Sequence, residues 1–368
     1  MTASALSTDV GSAPAASPVL APRQYALDVL RIVAICGVVG IHVVGLYMVN
    51  KQVRGSGSWW IAVGIDVGAV WTVPVFVMIS GALVLAPTAH RAGPAAFYRK
   101  RFARIIPALI AWHVTYLVVR VVFRGEELTP SGVARMVIDG KVYTALYFLW
   151  LIVGLYAVAP VLAAFLHAGG ERRAKIMAGV ALGWILVAFM IPNLAGAIGL
   201  SRPVSLGAWS MWWPFVGFFL AGWALRRTRL GARGTAVVAL VGLATLALTI
   251  WWYGAGYPHA ALGVLFPVSH LGATTALAAL CVFTVAVSLG SRYEPGPRMA
   301  ALLVRLSEAS FGVFLVHLLV LAFIQWAVPG FPIGRSLSAT LIAWGLVVVT
   351  SFAISIGASR VPYLRTIF

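Results

Sequence analysis

From residue 27 onward the chain alternates long runs of apolar side chains with short polar connections. The runs fall near 27–49, 60–86, 105–122, 143–166, 176–195, 208–226, 235–253, 263–289, 307–328 and 337–358. A bilayer core about 30 Å thick is crossed by roughly 20 apolar residues of helix. The pattern therefore predicts an all-α, polytopic integral membrane protein of about ten transmembrane helices. The connections leave no room for a soluble domain, so residues 23–368 form one transmembrane domain. Residues 1–22, rich in Ala, Ser and Pro with no basic start before a long apolar run, read as a disordered cytoplasmic tail rather than a signal peptide. No internal repeat is visible, which disfavours transporters built from repeats.

Composition agrees: 61% of the 368 residues are hydrophobic and 10% charged, against about 25% charged in an ordinary soluble chain. Disordered, collagenous and nucleic-acid-binding classes are excluded. The net charge of +18 reflects the scarcity of Asp and Glu, nine in all, as much as an excess of bases. Alternate connections hold 18 and 7 of the Lys and Arg residues. Because positive loops stay inside, both termini are expected to be cytoplasmic and the protein to be a multi-pass protein of the cell's inner membrane. Cys36 and Cys281 lie inside apolar runs without ligand spacing, so neither a disulfide nor a metal site is expected.

Ionisable side chains inside a membrane cost a few kcal/mol each or more, so each needs a partner, a water cavity or a task. In the first run Arg31 and His42 stand eleven residues apart, close to three turns, which puts both on one helix face about 16 Å apart along the axis. Asp28 precedes Arg31 by three and is placed to pair with it. A snorkelling arginine and a histidine bonding a neighbouring helix are the plainer alternative. Asp66, two turns into the second run, either approaches His42 and fixes its tautomer or faces water at the interface. Pro74 predicts a kink, and Ser80-Gly81 offers a small surface for a close approach. Arg101 and Arg104, at i and i+3 beside Arg99 and Lys100, suit phosphate binding or membrane anchoring equally well. In the ninth run Ser310 and His317 share a face, with Glu308 nearer the cytosol. Tyr147, Trp150 and Tyr156 form an aromatic stripe read as packing. His113 and His270 are also read as packing residues, and His90, His167 and His259 as solvated loop residues. Together these features fit a ligand with a phosphate head at the inner face and a reactive end inside the membrane, of which acyl-CoA is one.

The same residues resemble the bacterial integral-membrane acyltransferase family 3, particularly the branch similar to the enterobacterial common antigen O-acetyltransferase. The resemblance covers most of the chain after residue 24. LDVLRIVAICGVVGIH resembles the family's signature of a basic residue, ten residues and a histidine, here Arg31 and His42. VPVFVMISGALVL matches its Ser-Gly element at Ser80 and Gly81, FYRKRFARIIP its paired arginines at Arg101 and Arg104, and SFGVFLVH its serine-to-histidine segment at Ser310 and His317. Departures occur at Ala145 and Tyr147, where the branch often has His and Trp, and at Phe314, where an aromatic hydroxyl is common; they bear on the acceptor pocket.

What the resemblance implies is transfer of an acyl group, acetyl before any longer chain, from cytoplasmic acetyl-CoA to a hydroxyl of a cell-surface or lipid-linked glycan. His42 is then the general base. Arg31, Arg101 and Arg104 hold the CoA phosphates, with Asp28 orienting Arg31 and Ser80 beside the donor. Ser310 and His317 line the pocket, His317 either donating to the oxyanion or carrying the acyl group. No metal and no nucleic acid enter this scheme. Two competing classes are a proton-coupled transporter or flippase of an anionic or lipid-linked substrate, and a non-catalytic scaffold whose polar residues only join helices.

Overall fold

The structure, a computed structural model, describes residues 23–200, 204–256, 263 and 266–368; the expected tail 1–22 and His259 lie outside them. The helices introduced in chain order are α1 (Tyr25–Met48), α2 (Gly57–Gly68), α3 (Thr72–Val84), α4 (Pro87–His90), α5 (Gly93–Arg124), α6 (Pro130–Ile138), α7 (Tyr147–Ala197), α8 (Val216–Leu225), α9 (Ala232–Gly254), α10 (Ala273–Gly290), α11 (Pro297–Ala327) and α12 (Leu337–Ala358). Eight helical segments among the described residues are long and apolar enough to cross a membrane, α2 and α3 together forming one of them. The runs expected at 143–166 and 176–195 both fall in α7, where Gly170, at φ 67° and ψ −166°, interrupts the helix. The run expected at 208–226 becomes two 3-10 turns followed by the ten-residue α8.

Exposure follows the logic of a lipid solvent. On α5, Ile110, Val114, Val118 and Val121 form an outward stripe, each about half exposed, while Ile105, Leu109, Trp112 and Tyr116 are buried against the protein. Apolar side chains facing outward at this spacing are unfavourable in water and comfortable in hydrocarbon. Some polar side chains inside the helices are satisfied locally: Thr245 and Thr249 donate to the Val241 and Thr245 carbonyls at 2.7 Å.

Three local devices set the site. The second membrane segment breaks between α2 and α3 because Pro74 has no N–H with which to bond the Val70 carbonyl four residues earlier. That carbonyl is instead taken by His270, whose Nδ1 lies 3.1 Å away. Next, α3 and α8 touch backbone to backbone. A Cβ at Gly81 would lie 1.8 Å from the Phe219 carbonyl oxygen, and one at Gly222 would lie 1.8 Å from that of Met78. The register rises along one helix as it falls along the other, so the pair is antiparallel and only glycine fits at the crossing. Finally, α1 occupies the middle of the bundle, packed by α2, α3, α10, α11 and α12. Its pairing with α11 is parallel: Arg31 meets Ser307 near one end and His42 meets His317 about three turns on.

Candidate active site

A cavity of about 640 Å³ opens between α1, α3, α5, α7 and α11. Arg31, Lys100, Arg101 and Arg104 line one part of it, with Glu308 the carboxylate among its wall residues. Arg31 Nη1 donates to Ser307 Oγ at 3.1 Å, and no ion pair neutralises its guanidinium among the described residues. Arg101 lies over the Tyr156 ring at 5.5 Å and Arg104 over Phe311 at 5.8 Å, contacts that hold the planar groups while leaving their N–H edges available. Four cations facing one carboxylate make this mouth attractive to polyanions.

His42 borders the same cavity. The structure thus brings together the two residues that the eleven-residue spacing placed on one face. His42 packs on His317 with ring centroids 5.3 Å apart. His317 is fully buried, and its Nδ1 lies 2.7 Å from the Phe314 carbonyl and 3.2 Å from that of Val313. A carbonyl only accepts, so Nδ1 carries the proton and Nε2 is a bare acceptor. That Nε2 is buried and has no hydrogen-bond partner among the described residues. His317 therefore sits behind His42 rather than lining the pocket as expected, because its side chain turns into the α1–α11 contact. Ser310 does border the cavity, its hydroxyl donating to Leu306 O at 3.0 Å, and Ser80 borders it on α3 beside the Gly81 crossing.

Asp28 differs from expectation. Its two oxygens accept from Arg23 Nε at 2.8 Å and Nη2 at 2.9 Å, and it is not in the cavity wall. The i−3 spacing permits a pair with Arg31, but Arg23, just before α1, presents a fork that matches the carboxylate better. This bond and the Asp28 charge hold the Arg23 guanidinium above its ordinary pKa, and Arg23 also reaches Glu308 at 3.6 Å. Asp66 neither faces water nor bonds His42: it is buried, its Oδ2 2.8 Å from where a Cβ on Gly45 would stand, one turn beyond His42.

His270, expected from its sequence surroundings to be a packing residue, borders the cavity with His42. Its Nδ1–H donates to the carbonyl that Pro74 frees, so Nε2 is left as the acceptor. Tyr147 and Tyr156 of the aromatic stripe also line the cavity, while Trp150 donates to His113 Nε2 at 3.0 Å and His113 donates from Nδ1 to Leu109 O. His113 is thus a packing residue as expected. His90 is half-buried rather than solvated, stacked on Phe97 at 4.6 Å and bonded to the Val84 carbonyl; burial lowers its pKa. His167 is bonded to Leu85 O. Ala145, Tyr147 and Phe314, where the sequence departs from the family pattern, all fall in the cavity wall.

No curated protein and no solved structure matches the chain. Residues 24–360 match a family model described as an acyltransferase domain. A match over nearly the whole chain, on a helical bundle whose segments are built to cross a bilayer, means that this multi-pass membrane protein belongs to the acyltransferase 3 family and is an acyltransferase.

Proposed function

We propose that the protein transfers an acyl group, acetyl before longer chains, from cytoplasmic acyl-CoA to a hydroxyl of a cell-surface or lipid-linked glycan. In this reading it lies in the cytoplasmic membrane with both termini inside, and its motifs resemble the branch similar to the enterobacterial common antigen O-acetyltransferase. The observation that carries the proposal is the single cavity wall that includes both the Arg31 mouth and His42. Its volume, about 640 Å³, is within the range of roughly 300 to 1,000 Å³ usual for small-molecule sites. The three turns between Arg31 and His42, about 16 Å, give an extended thiol-bearing arm room to run from its phosphates to the imidazole.

Arg31, Lys100, Arg101 and Arg104 bind the donor phosphates as charge-assisted hydrogen-bond donors. His42 is the general base. As the acceptor oxygen bonds to the thioester carbonyl carbon, its proton passes to His42; the carbon–sulfur bond then breaks and that proton neutralises the departing thiolate. Direct transfer is favoured over an acyl-histidine intermediate at His317, because that ring is sealed behind His42. With its Nε2 unpartnered, His317 is a positioning residue that orients the His42 ring and accepts from it as charge develops there. His270 offers its Nε2 as an acceptor to a second hydroxyl of the acceptor molecule and so orients the one that gives its proton to His42.

The test uses purified full-length protein in lipid nanodiscs with labelled acetyl-CoA and a cell-envelope extract. Label is expected in a hydroxyl-bearing envelope component, with free CoA released in equal amount. His42→Ala should abolish transfer while CoA binding stays within about twofold, since a base acts on the chemical step and not on the phosphates. Retained transfer in that variant would remove His42 from the base role. Movement of an unmodified substrate driven by a proton gradient would point to the transporter class instead.

A further inference from the structure

A second pocket, of about 430 Å³, lies against the first and shares Thr144 and Tyr147 with it. Arg120, Arg124 and Lys141 supply its cations. The arginines are at the C-terminal end of α5, sixteen or more residues beyond Arg104, so about 24 Å of helix separates them from the cationic mouth of the first cavity. Arg120 and Arg124 share one carboxylate, Glu126, and Lys141 has no ion pair among the described residues. Asp139, close by in sequence, pairs with none of the three. Two positive charges are therefore left unanswered.

The pocket is also pre-shaped. Arg120 Nη1 donates to Val142 O at 3.1 Å, and Arg124 Nη2 donates to the Tyr143 hydroxyl at 2.9 Å while its guanidinium lies 4.8 Å from that ring's centroid. Tyr143 is itself stacked on the buried Tyr116 at 4.4 Å. Arg120 is fixed in the wall through its terminal nitrogens, to Val142 O and to Glu126, which leaves Arg124 and Lys141 as the cations least answered by protein groups. Membrane anchoring accounts for a positive charge at a helix end; it does not account for three cations that share one carboxylate around a concave pocket adjoining the first cavity.

We propose that this pocket binds a phosphate group carried by the acyl acceptor, so that the acceptor enters at the opposite end of α5 from the donor and passes its hydroxyl between Thr144 and Tyr147 toward His42. The proposal rests on the acyl-transfer reading for the direction of the hydroxyl, but the phosphate site itself is tested without turnover. Two free charges suit a phosphomonoester dianion, or the two charges of a diphosphate diester, better than a single carboxylate.

The experiment measures binding of two probes to the full-length protein in neutral-lipid nanodiscs: soluble glucose 1-phosphate, and a short polyprenyl phosphate in the bilayer, with glucose as the uncharged control. Saturable, salt-sensitive binding of at least one phosphate is expected, weakened about tenfold or more in the double variant Arg124→Gln/Lys141→Gln. Arg104→Gln should leave it within about twofold while weakening CoA binding. Binding of the soluble probe identifies a free phosphorylated sugar as the source, and binding of the lipid probe alone identifies a lipid-linked one. No saturable binding of either, equal binding in the double variant, or loss of phosphate-probe binding in Arg104→Gln would overturn the proposal. Melting temperature and CoA affinity of the double variant establish that it is folded, and CoA affinity near wild type there keeps failure of this site separate from failure of the donor reading.

Discussion

The α3–α8 crossing yields the sharpest prediction of the cost of a single methyl group. At Gly81 a Cβ would be placed 1.8 Å from the Phe219 carbonyl oxygen and 2.7 Å from its carbon. A carbon meets a carbonyl oxygen comfortably at about 3.3 to 3.6 Å, so Gly81→Ala must part the two helices by about 1.5 Å. The obstacle is main chain, which cannot rotate aside as a side chain can. Overpacking of a tight core costs about 1 to 3 kcal/mol, and the upper figure is expected here, a fall of about 5 °C in melting temperature for a chain of this size. Because Ser80 and Phe76 on the same helix line the cavity, the separation should also widen it and weaken CoA binding. Thermal melts and CoA titration in one detergent check both effects. Gly183→Ala is the control: nothing lies within 4 Å of its new Cβ, and alanine there gains up to about 1 kcal/mol of helix propensity. If Gly81→Ala melts with Gly183→Ala, the backbone contact is not what holds α3 against α8.

Three further outcomes are expected. Arg31→Leu should raise the KM for acyl-CoA about 10- to 100-fold, the loss of charged hydrogen bonds to phosphate, with the acceptor KM unmoved; steady-state kinetics varying each substrate decide it. Pro74→Ala restores the N–H that bonds Val70 O and so releases His270, which should raise the acceptor KM as His270→Ala does. The double variant should be no worse than either alone, and additive effects would show that the freed carbonyl is not the link. Trp150→Phe leaves His113 Nε2 buried without its donor and should cost about 1 to 3 kcal/mol of stability with little change in kcat, read by thermal melts beside turnover.

Much of the site was legible because it is local. Arg31 and His42 are related by helix periodicity alone, and Ser310 likewise falls on the face that borders the cavity. The misread residues depend on partners that spacing cannot name. Asp28 fits Arg31 by the i−3 rule, but a more flexible arginine ahead of the helix reaches it first. His270 became a wall residue through a carbonyl 200 positions earlier that a proline left unbonded; the proline was visible, its consequence was not. His317 shares a face with Ser310, yet a seven-residue spacing does not say whether that face looks at a void or at another helix. The helical class was plain from apolar run length, whereas Gly170 and the short α8 are where run counting and the observed helices diverge.

The parallel seam between α1 and α11 bears on biosynthesis. His42 belongs to α1, and the imidazole that backs it is made 275 residues later. Ser307, which holds Arg31, arrives in the same late stretch. Until that stretch is made, the earlier histidine and arginine reside in the nascent chain with neither neighbour in place, and the candidate site closes only as α11 inserts. A chain halted before α11 has both halves of its opening motif and neither of the side chains that back them.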